Sequence, residues 1–279
     1  MNRLVREKIP EAVYLDIMER LKQAERDHNV KILLAIESGS RAWGFESTNS
    51  DYDVRFIYVR DSDWYLDINV ENKRDVIEYP IVDEIDINGW DLRKALRLFY
   101  KSNPSFVEWI NSPLVYMDNL GFAKQVRSML PVIYSIERGM YHYRSMAKTT
   151  YVDHLMADRV KYKKYLYVLR ALLSVRYLAQ YQEVAPIEFD TLLEKVELPS
   201  QLRNEIERLV LKKKSAAEAD LTKQLSGIDQ YIRAELARLD EGIESIKSMG
   251  VGKSDTMPLL NTLFHQVLRD VQATHSFNK

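Results

Sequence analysis

Asp51 and Asp53 stand two residues apart at the head of Tyr52-Asp53-Val54-Arg55-Phe56-Ile57-Tyr58-Val59, a run whose β-branched and aromatic content reads as a strand. A strand alternates its side chains, so the two carboxylates share one face while Tyr52 and Val54 point to the other. Two acids held that close repel, and a bound proton or a hard cation with oxygen ligands relieves the conflict. Magnesium suits such a pair and in turn holds nucleotide phosphates. With ten residues between it and Asp51, Ser38-Gly39-Ser40 follows the apolar stretch Ile32-Leu33-Leu34-Ala35-Ile36 after Glu37. Gly39 lets the backbone approach a phosphate, its amide and that of Ser40 make a small anion nest, and the Ser38 and Ser40 hydroxyls add donors. A third acid from a neighbouring strand completes a site for metal-assisted phosphoryl transfer and accepts the proton of an attacking hydroxyl. Asp86, flanked by Ile85 and Ile87, is the candidate, with Asp83, Glu84 and Asp91 as replacements in another strand register. Asp-x-Asp or Gly-Ser alone is ordinary strand-rim and turn chemistry; the order in which they occur here is what makes them specific.

The elements that must position these residues are legible from periodicity. Residues 10–28 alternate apolar and charged positions at helical spacing, and 31–36 read as a buried strand ending at the Ser38–Ser40 turn. After the acidic strand at 51–59 come a weaker strand at 76–79 and a strand at 84–88 stopping before Gly89. Asp91 caps a helix over 92–100, and Asn103-Pro104 opens another that runs to Asn111. Beyond Gly121 strand alternation disappears. Residues 153–181, 199–217, 218–248 and 257–272 read as helices, so the expectation is an α+β protein with a catalytic domain over 1–120 and an all-helical domain over 121–279.

The chain resembles the DNA polymerase beta-like nucleotidyltransferase superfamily, whose signature is an apolar residue, Gly, Gly or Ser, a gap of about ten residues, Asp-x-Asp and a later third acid. More narrowly, Glu37-Ser38-Gly39-Ser40-Arg41-Ala42-Trp43-Gly44-Phe45, Ser50-Asp51-Tyr52-Asp53-Val54-Arg55-Phe56-Ile57-Tyr58 and Asp86-Ile87-Asn88-Gly89-Trp90-Asp91-Leu92-Arg93 look like the nucleotidyltransferases of the bacterial and phage RNA-repair-associated group. The resemblance implies a mixed sheet with helices on one side, a site using Mg2+ or Mn2+ at Asp51, Asp53 and Asp86, and a helical domain that helps form the nucleotide cleft. It implies transfer of a nucleoside monophosphate from a nucleoside triphosphate to an acceptor hydroxyl with release of pyrophosphate. An RNA or tRNA end is the favoured acceptor. The alternatives are a protein side chain, as in toxin-antitoxin enzymes that adenylylate a partner, and a non-catalytic nucleotide- or RNA-binding module, against which the intact acids speak.

Residues 159–176 carry Arg159, Lys161, Lys163, Lys164, Arg170 and Arg176 and no acid. On a helix Lys163, Tyr167, Arg170 and Ser174 share a face opposite Leu166, Leu169, Leu172 and Leu173. Lys163 and Arg170 are therefore candidate triphosphate contacts, the plain alternative being a solvated helix face. Arg41 and Arg55 each have two readings, a phosphate contact or a salt bridge to nearby acids. Lys212-Lys213-Lys214 reads as a solvated helix end, where cations are favoured. Gly250-Val251-Gly252-Lys253-Ser254 imitates the end of a P-loop, yet Lys247 stands where that motif needs its first glycine.

Forty basic residues against forty-one acidic ones exclude a bulk nucleic-acid coat while leaving room for a local basic groove. The absence of cysteine excludes disulfides, thiolate nucleophiles and cysteine-based zinc sites. With no stretch near the roughly 20 apolar residues of a membrane span, the expectation is a soluble cytoplasmic protein of two domains.

Overall fold

A computed structural model describes residues 3–215, 221–248 and 255–274. Helices α1 (Arg3–Lys8) and α2 (Glu11–His28) lead into strand β1 (Lys31–Glu37), the short helix α3 (Gly39–Trp43) and strand β2 (Tyr52–Val59). Helix α4 (Ser62–Leu66) precedes strands β3 (Val76–Glu78) and β4 (Ile85–Asp91), followed by α5 (Leu92–Tyr100), α6 (Pro104–Ile110), β5 (Val115–Asp118) and α7 (Phe122–Ile133). The chain then runs through α8 (Ile136–His154), β6 (Arg159–Lys161), α9 (Tyr162–Tyr181), α10 (Phe189–Lys195), α11 (Ser200–Ser215), β7 (Leu221–Lys223), α12 (Ser226–Ser248) and α13 (Met257–Thr274).

Five strands form one mixed sheet in the order β3-β4-β2-β1-β5. The β2–β4 pair is parallel and every other pair antiparallel. One face of the sheet is closed by Val5 of α1, Ile9 of the link that follows it, and Ile17, Leu21 and Ala24 of α2, packed on Ile32, Tyr52, Val54, Phe56, Tyr58, Ile85 and Ile87. Burial of such side chains stabilises by about 1.5–3 kcal/mol each, which is why the amphipathic α2 lies on this face. A register shift between Ile32 and Leu34 flips the later residues of β1, and its run Ile32 to Glu37 is buried on both faces.

The chain divides into two compact units, Met1–Ala42 with Asp51–Tyr134 and Ser254–Lys279, and Trp43–Ser50 with Ser135–Lys253. These limits differ from a single cut at 120. The last helix, α13, packs on α5 in the first unit, where Phe264 meets Tyr65 edge to face at 5.0 Å. The segment Trp43–Ser50 belongs to the second unit, where Phe45 packs against Tyr167 and Phe189.

Three local expectations are corrected. Strand β4 continues through Gly89 to Asp91, because Gly89 lies opposite Phe56 and the Phe56 ring fills the space a Cβ would need. The helix read over 153–181 is broken: α8 ends at His154, and Arg159–Lys161 pairs as a strand with Leu221–Lys223, which also interrupts the helix read over 218–248. The second unit is therefore helical with one two-stranded ribbon, a non-local pairing that helical periodicity does not reveal. The P-loop-like segment 250–254 lies outside the described residues. No described helix is long and apolar enough to cross a membrane.

Candidate active site

Strands β2 and β4 present the same alternation. Tyr52, Val54 and Phe56 are buried against α1 and α2, and Asp53 and Arg55 face the other way, half-buried. On β4, Ile85 and Ile87 are buried while Asp86 and Asn88 are half-buried. The parallel register sets Asp53 opposite Asp86 and Arg55 opposite Asn88, so the two aspartates sit side by side on one sheet face. Asp51 lies one residue ahead of β2, in phase with Asp53, and the Tyr52 N–H donates to the Glu84 carbonyl at 2.7 Å, which aligns the starts of the two strands.

The Ser38–Ser40 turn closes on this pair. The Ser38 N–H donates to the Asp53 carbonyl at 2.8 Å. Gly39 has φ of +58°, and a Cβ there would lie 1.9 Å from Asp53 Oδ2. Only glycine both adopts this left-handed conformation without strain and leaves room for the carboxylate. Ser40 and Arg41 are buried, and the Arg41 guanidinium stacks over the Tyr52 ring at 3.9 Å, on the face opposite the aspartates.

Glu37, fully buried at the end of β1, braces Asp53 from behind. Its Oε1 accepts the Asp53 N–H at 3.0 Å and its Oε2 accepts the Tyr116 hydroxyl at 2.6 Å, with Arg41 Nε 3.9 Å away. Burial pushes the Glu37 carboxyl up to about 8, aided by the Asp53 charge and opposed by the Tyr116 and Asp53 hydrogen bonds and by Arg41. On the open face, Arg55 Nη2 donates to Asp53 Oδ1 at 3.0 Å and to Asp86 Oδ2 at 2.7 Å, and Asn88 Nδ2 donates to Asp86 Oδ1 at 2.6 Å.

Of the predicted residues, the structure thus brings together Gly39, Asp53 and Asp86, with Asp51, Ser38 and Ser40 adjoining in sequence. The alternatives to Asp86 are placed elsewhere: Asp91 is buried, caps α5 through the Arg93 N–H and accepts the Tyr65 hydroxyl, and Asp83 pairs with Arg20. Lys163 and Arg170 lie on α9 in the second unit. Helix α9 is buried around most of its circumference, which corrects the exposed basic face expected from periodicity. Arg170 is 3% exposed, its guanidinium 4.4 Å over the Trp43 ring and its Nε donating to the Ile187 carbonyl. Lys213 departs from the solvated helix end in the same way: it is 2% exposed, with Nζ 2.8 Å from Ser47 Oγ and 3.2 Å from Ser50 Oγ. Sequence reasoning missed Glu37 and Asn88. Asn88 and Arg55 each follow an aspartate by two residues, and that period was the available signal; the bracing by Glu37 depends on pairing between β1, β2 and β5.

Three aspartate carboxylates are the donor type a hard divalent cation takes. In the arrangement seen, the place between Asp53 and Asp86 is filled by Arg55, and among the described residues no three His, Cys, Asp or Glu side chains are gathered closely enough to hold a metal ion.

Comparison with known proteins adds three findings. Residues 14–266 match the model of the RNA repair pathway DNA polymerase beta family. The chain is 41% identical over 255 residues to the uncharacterized protein YcgL of Bacillus subtilis, covering 91% of this chain and 96% of that one. A solved nucleotidyltransferase-like protein from Exiguobacterium sibiricum is similar over 82% of this chain and 75% of its own, at 13% identity and a TM-score of 0.32.

Proposed function

This chain belongs to the RNA repair pathway DNA polymerase beta family, and on that premise we propose that it is a metal-dependent nucleotidyltransferase that moves a nucleoside monophosphate from a nucleoside triphosphate to an acceptor hydroxyl, an RNA end being favoured. The observation that carries this reading is the register of β2 and β4, which sets Asp53 beside Asp86 on the face where the Gly39 backbone meets Asp53. The family's association with RNA repair supports an RNA end over other acceptors.

Asp51, Asp53 and Asp86 would hold Mg2+ or Mn2+. Such a cation neutralises phosphate charge and lowers the barrier to displacement at phosphorus. The acceptor hydroxyl oxygen forms a bond to the α-phosphorus while the bond from that phosphorus to the oxygen bridging to the β-phosphate breaks, and pyrophosphate leaves. Asp86, oriented by Asn88, takes the hydroxyl proton. The amides of Gly39 and Ser40 and the Ser38 and Ser40 hydroxyls bind the triphosphate tail. Glu37 and Tyr116 hold Asp53 in place from the opposite face of the sheet. Arg41, buried over Tyr52, serves the turn's position, and Arg170 serves that of Trp43; the burial of both favours support over phosphate contact.

The test is label transfer and pyrophosphate release from each of the four α-labelled nucleoside triphosphates, with Mg2+ or Mn2+, offered RNA or the protein itself. Transfer to RNA by the wild type, absent in Asp53→Asn and Asp86→Asn, is the expected result. Transfer to protein would replace the acceptor with a side chain. Absence of both transfer and triphosphate binding would leave a module without catalysis and refute the proposal.

A further inference from the structure

Arg55 follows Asp53 by two residues on β2, so strand alternation turns its side chain onto the carboxylate face. Its Nη2 spans the facing oxygens Asp53 Oδ1 and Asp86 Oδ2 at 3.0 and 2.7 Å, and its Nη1 donates to the Val54 and Asp86 carbonyls at 3.0 and 2.8 Å. Asn88 holds the remaining oxygen of Asp86. The side chains of Arg55, Asp53 and Asp86 are 17, 26 and 19% exposed, so this is a partly desolvated triad and its charges are screened less than those of a surface pair. The guanidinium occupies the space between the Asp53 and Asp86 carboxylates.

We propose that Arg55 is the resident counter-ion of the carboxylate pair and the gate to its divalent cation. The proposal rests on the nucleotidyltransferase reading given above. A divalent cation gains Asp53 and Asp86 only when the guanidinium gives them up, and a guanidinium left beside a divalent cation repels it. A triphosphate removes the conflict, because its oxygens offer the displaced guanidinium the paired acceptors that suit its fork. The site therefore takes the cation weakly by itself and strongly together with the triphosphate, and an empty site keeps its aspartates in register without metal.

Free Mn2+ measured by electron paramagnetic resonance in titrations of the full chain, without nucleotide, tests the gate directly. Arg55→Gln is expected to bind Mn2+ tighter than wild type by about tenfold or more, the scale on which one adjacent opposite charge alters a carboxylate's affinity for a proton. Adding Asp53→Asn should abolish that gain. Equal or weaker binding in a folded Arg55→Gln, with wild-type binding that still depends on Asp53, overturns the gate and leaves the nucleotidyltransferase reading standing. No Mn2+ binding by either protein, together with no nucleotide transfer, overturns both. Because Arg55→Gln removes four hydrogen bonds and is at risk of misfolding, a second measurement uses wild type. The 15N side-chain signal of Arg55, assigned by its loss in Arg55→Lys, should shift with Mg2+ plus a mixture of the four α,β-methylene nucleoside triphosphates and hold its position with Mg2+ alone. An Arg55 signal unchanged by both additions would overturn the proposal.

Discussion

Replacing Gly39 by alanine tests whether the turn positions Asp53. The new Cβ would meet Asp53 Oδ2 at 1.9 Å and Cγ at 2.7 Å, whereas ordinary contact begins near 3.4 Å, so the carboxylate must retreat by roughly 1.5 Å. That retreat breaks its 3.0 Å bond to Arg55 Nη2. A non-glycine residue in the left-handed region costs about 1–2 kcal/mol, and a charged hydrogen bond at a quarter-exposed carboxylate adds on the order of 1 kcal/mol, giving about 2–3 kcal/mol of lost stability. Misplacement of a reacting group by about 1 Å costs on the order of a hundredfold in rate. Gly121 supplies the control, because it has φ of +62° and nothing lies within 4 Å of its would-be Cβ. Gly121→Ala should share the backbone cost of about 1–2 kcal/mol and keep full activity. Urea denaturation of both variants and single-turnover nucleotide transfer separate the two effects. Folded Gly39→Ala with a transfer rate within about threefold of Gly121→Ala would refute the link between the turn and Asp53.

Burial pushes Asp91 up from 3.8 to about 6, outweighing the Tyr65 and Arg93 hydrogen bonds that favour its charged form. The neutral acid is thus favoured in the folded chain, so its contribution is complete below pH 3.8 and lost as pH rises through 6, amounting to about 3 kcal/mol. Urea midpoints should show this decline between pH 4 and 7 in wild type relative to Asp91→Asn; a difference that does not vary with pH would contradict it. Lys213→Met removes the hydrogen bonds to Ser47 and Ser50, and a cost of about 1–3 kcal/mol with faster amide exchange across 43–50 is expected. Unchanged exchange there would show that Lys213 does not hold this segment. Gly89→Ala drives a Cβ to 2.2 Å from the Phe56 ring and should destabilise by about 1–3 kcal/mol in urea, with Phe56→Leu in the same chain recovering part of the loss.

Local alternation was enough to place Asp51 and Asp53 on one face of a strand, to single out Asp86 between two isoleucines, and to find α2, β1, β2 and α5, because side-chain direction along an element follows from its own period. That same period also holds Arg55 and Asn88 on the carboxylate face. What the sequence left open was every question of which strand lies beside which. Only the parallel β2–β4 register set Asp86, and not Asp91, beside Asp53, and only that register brought Arg55 to Asp86, 31 residues away in sequence, as well as to Asp53. The burial of Arg170, read as a triphosphate contact, and of Lys213, read as part of a solvated helix end, came from packing within the second unit: Trp43 and the serines of 43–50 supply the partners that let each cation lie inside. Periodicity records what one element prefers by itself, whereas register, burial of charge and the choice of counter-ion are settled by residues distant in sequence.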